Sequence, residues 1–279
     1  MNAAIRGEPS EVYHATDAIS HSKLEVFRRR PALYHRKYVL KAVPDADSSA
    51  FAIGRATHAA VLEPQTYGTL YARRPDGIDR RTKEGKAAWE QFAQANAGKT
   101  ILDGEDFALV HQMRDAVMAH PAASELFDAG EPELVWRKQF ATLNVQARTD
   151  WFNAEGCALC PRPYVVDLKT VESLDDGAFR NFEKAFVSLG YHRQAGFYLP
   201  LLYDCGIACT DFFFVAVEKC EPYGVAVYKV SNAALQRGQE ETLRDLTRLK
   251  GCIGANRWPN MPDDVQEIDL PAWYKETWL

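Results

Sequence analysis

Apolar positions change period along the chain, separating a helical first part from a mixed second part. From Ile19 to Phe27 apolar residues recur at helical spacing behind Ser20 or Ser22, either of which can cap the first turn. Pro31 ends that helix and opens another over Pro31 to Tyr38, because proline fits a first turn where no N–H is needed. Ala50 to Leu62 reads as a buried helix of small and apolar residues carrying Gly54 and His58. Between Asp103 and Ala119, Phe107, Val110, Met113 and Val117 share one helical face. The period then shortens, and residues 134–140, 145–152 and 164–169 read as strands, with turn-like residues 153–163 joining the last two. A long helix over 181–203 follows, then strands over 211–217 and 224–230, then a polar helix from Ser231 to about Lys250. A helix crossing between the third and fourth strands implies an α/β fold: a central mixed β-sheet flanked by helices, with a helical N-terminal portion.

No repeat, low-complexity tract or flexible linker divides the 279 residues, so a single domain is expected over 19–279, preceded by a tail over 1–18. With 33 Lys and Arg against 38 Asp and Glu, the net charge of -5 offers no whole-chain attraction to nucleic acid, and any such attraction must be local. Positive charge is locally concentrated. Arg28, Arg29, Arg30, Arg36, Lys37 and Lys41 occur without an intervening acid, and Arg73, Arg74, Arg80, Arg81, Lys83 and Lys86 form a second group. Such runs are either solvated faces or phosphate contacts. The apolar run 212–217 is far short of the ~20 residues of a membrane helix. Met1 to Ser10 lacks the apolar core of a secretory signal, so a cytoplasmic protein is expected. Six cysteines are too few for a disulfide scaffold in a chain of this length. Cys157 and Cys160 could be half of a zinc or iron–sulfur site with Cys205 and Cys209 as the other half, or these thiols could be small buried hydrophobes.

The sharpest local chemistry lies in Val165-Val166-Asp167-Leu168-Lys169-Thr170, where strand alternation puts Asp167 and Lys169 on one face. Asp150, at the end of the preceding strand, can come beside Asp167 through hairpin pairing. Two adjacent carboxylates repel unless a cation lies between them, and hard divalent ions take carboxylate and carbonyl oxygens, including that of Leu168. A neighbouring lysine could orient or deprotonate a water, or stabilise charge on a phosphoryl transition state. The same D-x-K pair could equally be solvated charges on an exposed sheet face. His58 could be a satisfied core histidine, Gln194 and Tyr198 a helix surface pair, and Glu133 a strand-edge charge.

The ordered set Gly54-x3-His58, Asp150, Asp167-x-Lys169 and Gln194-x3-Tyr198 resembles the RecB-like branch of the PD-(D/E)XK nucleases, whose motifs run GxxxH, D, DxK and QxxxY. Ser20-x-Ser22-x-Leu24-x2-Phe27, followed by Pro31 and Tyr34, resembles that branch's N-terminal motif. Within the branch the chain is most similar to RecE-type (exonuclease VIII) nuclease domains and related prophage proteins, particularly over residues 54–64, and the resemblance spans Ile19 to Tyr198. It departs in the second motif, where Tyr164-Val165-Val166 replaces a short proline-containing lead and Pro163 is displaced.

The resemblance implies metal binding by His58, Asp150, Asp167 and the Leu168 carbonyl, with Mg²⁺ as cofactor and Mn²⁺ as a possible substitute. It implies Lys169 as the catalytic lysine, Gln194 and Tyr198 at the site or on the DNA strand, and Glu133 as an accessory acid. Iron–sulfur variants of the branch cluster cysteines near the carboxyl end, where this chain has Cys252 alone. The implied activity is 5′-to-3′ exodeoxyribonuclease action on one strand of linear duplex DNA, leaving a 3′ single strand for recombination. Arg28 or Arg29 is a candidate 5′-phosphate clamp. Implied partners are double-stranded DNA ends, a single-strand annealing protein and further copies of the chain, in a ring that would aid processivity. An endonuclease or 3′-acting nuclease on the same fold, and a catalytically inactive DNA-binding module, are the alternatives.

Overall fold

The computed structural model describes residues 4–44, 49–174, 181–262 and 264–270. Its centre is a six-stranded mixed sheet built from β1 (Ala4–Ile5), β4 (Glu131–Phe140), β5 (Leu143–Asn153), β6 (Tyr164–Val171), β7 (Asp211–Glu218) and β8 (Val225–Lys229), in that spatial order. Neighbouring strands are antiparallel except β6 and β7, which run parallel. A parallel pair needs a crossover, supplied here by α9 (Asn181–Ser188) and α10 (Tyr191–Asp204). The other helices are α1 (Ser10–Ala15), α2 (His21–Arg29), α3 (Pro31–Tyr34), α4 (Ser49–Leu62), α5 (Pro64–Leu70), α6 (Lys83–Ala95), α7 (Gly104–Ala119), α8 (Pro121–Asp128) and α11 (Asn232–Ala255). A small parallel pair, β2 (Tyr71–Arg73) and β3 (Thr100–Leu102), stands apart from the main sheet.

The mixed sheet flanked by helices is the architecture that the period change implies. β7 is buried over Asp211–Val217, as a central strand covered on both faces should be. On one face Leu134, Trp136, Val165, Phe212 and Phe214 pack with residues of α2, α10 and α11. On the other, Val166, Leu168 and Val215 pack against Met113, Val117 and Leu126. β6 thus sends Tyr164, Val166 and Leu168 one way and Val165, Asp167 and Lys169 the other, the latter toward α10.

Three expectations need correction. The stretch expected as a tail joins the fold: Ala4 and Ile5 pair with Trp136 and Val135, Tyr13 is buried, and Glu8 binds Arg137 through two hydrogen bonds. Residues 1–3 of that stretch, and 271–279 of the expected domain, lie outside the described residues. The helix expected over 181–203 is two, because Gly190 takes a left-handed φ of +76° between the end of one helix and the start of the next. The helix expected over Pro31 to Tyr38 keeps α geometry only to Tyr34 and widens into a π turn over His35–Val39. Among the described residues no helix is long and apolar enough to cross a membrane.

Candidate active site

The site forms where the sheet stops pairing. β4 and β5 hold a continuous register on either side of one gap: Pro132 faces Trp151 and Leu134 faces Thr149, while Glu133 and Asp150 between them are left out. Glu133 has φ +52°, a left-handed conformation that costs a non-glycine residue about 1 kcal/mol. β5 and β6 pair only through Trp151, Phe152 and Asn153, and the pairing ends just before Asp150 and Asp167. The backbone N–H of Leu168 then donates to Asp150 Oδ2 at 2.9 Å. The missed Glu133–Asp150 pair on one side of β5 and the end of the β5–β6 ladder on the other thus leave both acids outside regular pairing.

His58 reaches the gap from α4, with Nδ1 3.4 Å from Asp150 Oδ2. Gly54 lies one turn earlier, beside Thr170, and a Cβ there would meet Oγ1 at an ordinary 3.6 Å, so close packing does not by itself demand glycine. Ligand atoms of His58, Glu133 and Asp150 all lie within 4.8 Å of one another, and this is the one such group of three among the described residues. Two hard carboxylates and an imidazole suit a divalent cation. Burial and the nearby Asp150 push the Glu133 carboxyl up to about 8, despite Arg148 at 3.5 Å. A site that strains an acid in this way is chemically matched to a cation that would relieve it.

Asp167 sits beside this group. Gln194 Nε2 donates to its Oδ2 at 2.5 Å, and its Oδ1 meets the Lys169 ammonium in an ion pair. Lys169 Nζ also donates to Gln194 Oε1 at 3.3 Å and lies 4.8 Å from the centroid of the Tyr191 ring. Burial raises the Asp167 carboxyl, as does Asp150, and outweighs the attraction of Lys169. Burial alone would lower the Lys169 ammonium, yet its pKa is raised because Asp167 and Asp150 hold the charge in place. Tyr198, four residues after Gln194 on α10, is buried with a phenol pushed well above its usual range by that burial.

The structure therefore brings His58, Asp150, Asp167, Lys169, Gln194 and Glu133 together, with Tyr198 in the same cleft wall. Asp167, expected among the metal ligands, is engaged by Lys169 and Gln194, and Glu133 completes the group with His58 and Asp150. Leu168, expected to offer its carbonyl, meets Asp150 through its N–H. Ser20, Ser22, Arg29, Arg55 and Arg148 line the same cleft, of about 550 Å³. Arg28 points elsewhere, its Nε 3.6 Å from the buried Asp245 of α11. Sequence reasoning missed Arg148, which pairs with Glu133 and lies over the Tyr13 ring at 4.4 Å. Its placement two residues before Asp150 on β5 was the available signal. The thiols find backbone partners: Cys160 donates to Arg162 O, Cys205 to Arg137 O and Cys209 to Pro163 O. Among the described residues they do not gather into a metal-binding group of three.

No curated protein matches the chain. Among solved structures, a protein of Eubacterium rectale described as a “putative exonuclease” superposes with a TM-score of 0.62 at 13% identity, covering 95% of this chain and 96% of that one. SSO0001, also 13% identical, covers 71% of this chain and 87% of its own with a TM-score of 0.28. The first likeness shows a shared fold. Residues 20–271 match the family described as a PDDEXK-like domain of unknown function, and the chain belongs to that family, DUF3799.

Proposed function

We propose that this protein is a divalent-metal-dependent exodeoxyribonuclease that hydrolyses one strand of linear double-stranded DNA from its 5′ end, leaving a 3′ single strand for recombination. One observation carries the nuclease reading: the His58, Glu133 and Asp150 group lies against the Asp167–Lys169–Gln194 cluster in one cleft of a PDDEXK-like fold. The exonuclease-like neighbour and the RecE-type motif order favour action at ends over internal cleavage.

His58, Glu133 and Asp150 would hold a divalent cation, with Mg²⁺ the proposed ion, which would supply Lewis acidity to a phosphoryl oxygen and acidify a nearby water. Lys169 remains protonated near neutrality because its pKa is raised, so it presents positive charge to the phosphoryl oxygens as negative charge grows on them. Gln194 fixes Asp167 and Lys169 at once, donating to the acid and accepting from the amine. Arg148 offsets part of the negative charge of Glu133. Arg29, which lines the cleft, takes the clamp role for a 5′-phosphate, whereas Arg28 does not face it.

A time course on linear duplex labelled at the 5′ or 3′ end, beside a closed circle, tests the proposal. Early release of the 5′ label with an intact circle supports it. Cleavage of the circle favours an endonuclease, early release of the 3′ label favours the opposite polarity, and binding without hydrolysis in Mg²⁺ or Mn²⁺ favours an inactive DNA-binding module.

A further inference from the structure

The geometry points to a second nucleic-acid contact outside the cleft: a ridge of Arg28, Arg244 and Arg248, built around Asp245 where α2 meets α11, that holds the double-stranded body of the substrate. The claim rests on the nuclease reading for the identity of the polymer. Asp245 is 1% exposed, and three guanidinium groups approach it, Arg28 Nε at 3.6 Å, Arg244 Nε at 3.7 Å and Arg248 Nη1 at 3.3 Å. One carboxylate can balance one of these charges. The neighbouring Glu241 is occupied by Arg193, His192 and Arg237, and Glu25 by Arg193, so neither is free to balance the others.

The three side chains keep 33%, 54% and 49% of their surface open to solvent. Arg248 also lies 5.6 Å from the Phe27 ring centroid. A buried acid and an aromatic face thus position these groups from below while their outer faces stay open, which lowers the entropy lost when a planar guanidinium meets a phosphate. Arg244 and Arg248 are one turn apart, about 6 Å along α11, so both can engage one polyanionic backbone.

Helix α2 links the ridge to the cleft. Arg29, next to Arg28, lines the cleft and donates to Ser188 O at 3.1 Å. A cleft of about 550 Å³ is the size of a site for a single small ligand, enough for a nucleotide or two of one strand. The remaining duplex must lie outside it, and the ridge shares helix α2 with the cleft wall through Arg28 and Arg29.

The test measures binding of a 20-base-pair duplex and of a short single strand across a salt series, without divalent metal, for the wild-type chain, Arg244→Gln/Arg248→Gln and Arg244→Lys/Arg248→Lys. Each duplex phosphate contact contributes about 0.9 to the slope of log affinity against log salt. The glutamine pair is expected to reduce that slope by about 2 and to lower the duplex-to-single-strand affinity ratio about tenfold, with the lysine pair retaining most of the slope. An unchanged slope overturns the ridge, and so does equal weakening toward both ligands. Because no hydrolysis is read, a chain that fails to cleave DNA refutes the nuclease reading without altering this result.

Discussion

Asp150 Oδ2 accepts the backbone N–H of Leu168 at 2.9 Å, just beyond the last paired residues of β5 and β6. A carboxylate of the candidate metal group thus also satisfies a backbone donor beyond the end of the β5–β6 ladder. Asp150→Ala is therefore expected to destabilise the protein by about 1–3 kcal/mol, the cost of a buried unsatisfied N–H. Asp150→Asn keeps an acceptor oxygen and should lose less than half as much, while still weakening metal binding. Urea unfolding of the two variants separates these effects.

Glu133 gives the metal-free protein a definite pH response. Its folded carboxyl is raised from 4.5 to about 8, so the native state binds the proton more tightly than the unfolded chain. Its stabilising contribution is complete below about pH 4.5 and is lost as pH rises toward about 8, a fall of up to about 5 kcal/mol. Thermal unfolding in chelator should show this slope, and Glu133→Gln should flatten it. Saturating Mn²⁺ should stabilise the wild-type chain increasingly over the same window, because binding must displace that proton.

Glu241 acts in the opposite direction. Burial opposes its ionisation, yet hydrogen bonds from Arg193 and His192 hold its pKa down at about 2, below the ordinary 4.5. The resulting stability is present above pH 4.5 and is lost as pH falls through about 2. Glu241→Gln is expected to remove up to about 3 kcal/mol at neutral pH and to shallow the acid limb of the stability curve.

Backbone proximity sets α10, and with it Gln194. A Cβ at Gly238 of α11 would lie 2.0 Å from His192 O, and one at Gly196 would lie 2.3 Å from Gly238 C. Gly238→Ala should therefore push the two helices apart, costing about 1–3 kcal/mol in unfolding experiments. It should also lower the rate of DNA hydrolysis by displacing Gln194 from Asp167 and Lys169. Gly251→Ala, at a position on α11 with open space around it, is the matched control and should change neither.

Periodicity exposed most of the elements that carry the site. β6 revealed Asp167 and Lys169 on one face because alternation is local, whereas His58 and Gln194 stood out only through the resemblance of Gly54-x3-His58 and Gln194-x3-Tyr198 to nuclease motifs. Glu133 and Arg148 were harder, since their importance depends on a gap in the β4–β5 ladder, a relation between strands. Arg28 and Arg29 are adjacent in sequence but about 100° apart around α2, so one faces Asp245 and the other the cleft. The helix α6 and the short β2–β3 pair escaped notice because they bury little. The break in the crossover helix depended on the left-handed turn at Gly190, in a stretch whose apolar pattern runs through it.

The central claim is that side chains from α4, β4, β5, β6 and α10 make one hydrolytic centre. Release of acid-soluble nucleotide from linear duplex DNA, measured with Mg²⁺ and with chelator for the wild-type chain and Lys169→Ala, tests it most directly. The account predicts hydrolysis by the wild type only with metal, and a loss of at least about 10²-fold in Lys169→Ala with folding and DNA binding retained. Undiminished hydrolysis by Lys169→Ala, or wild-type hydrolysis that persists in chelator, would contradict it.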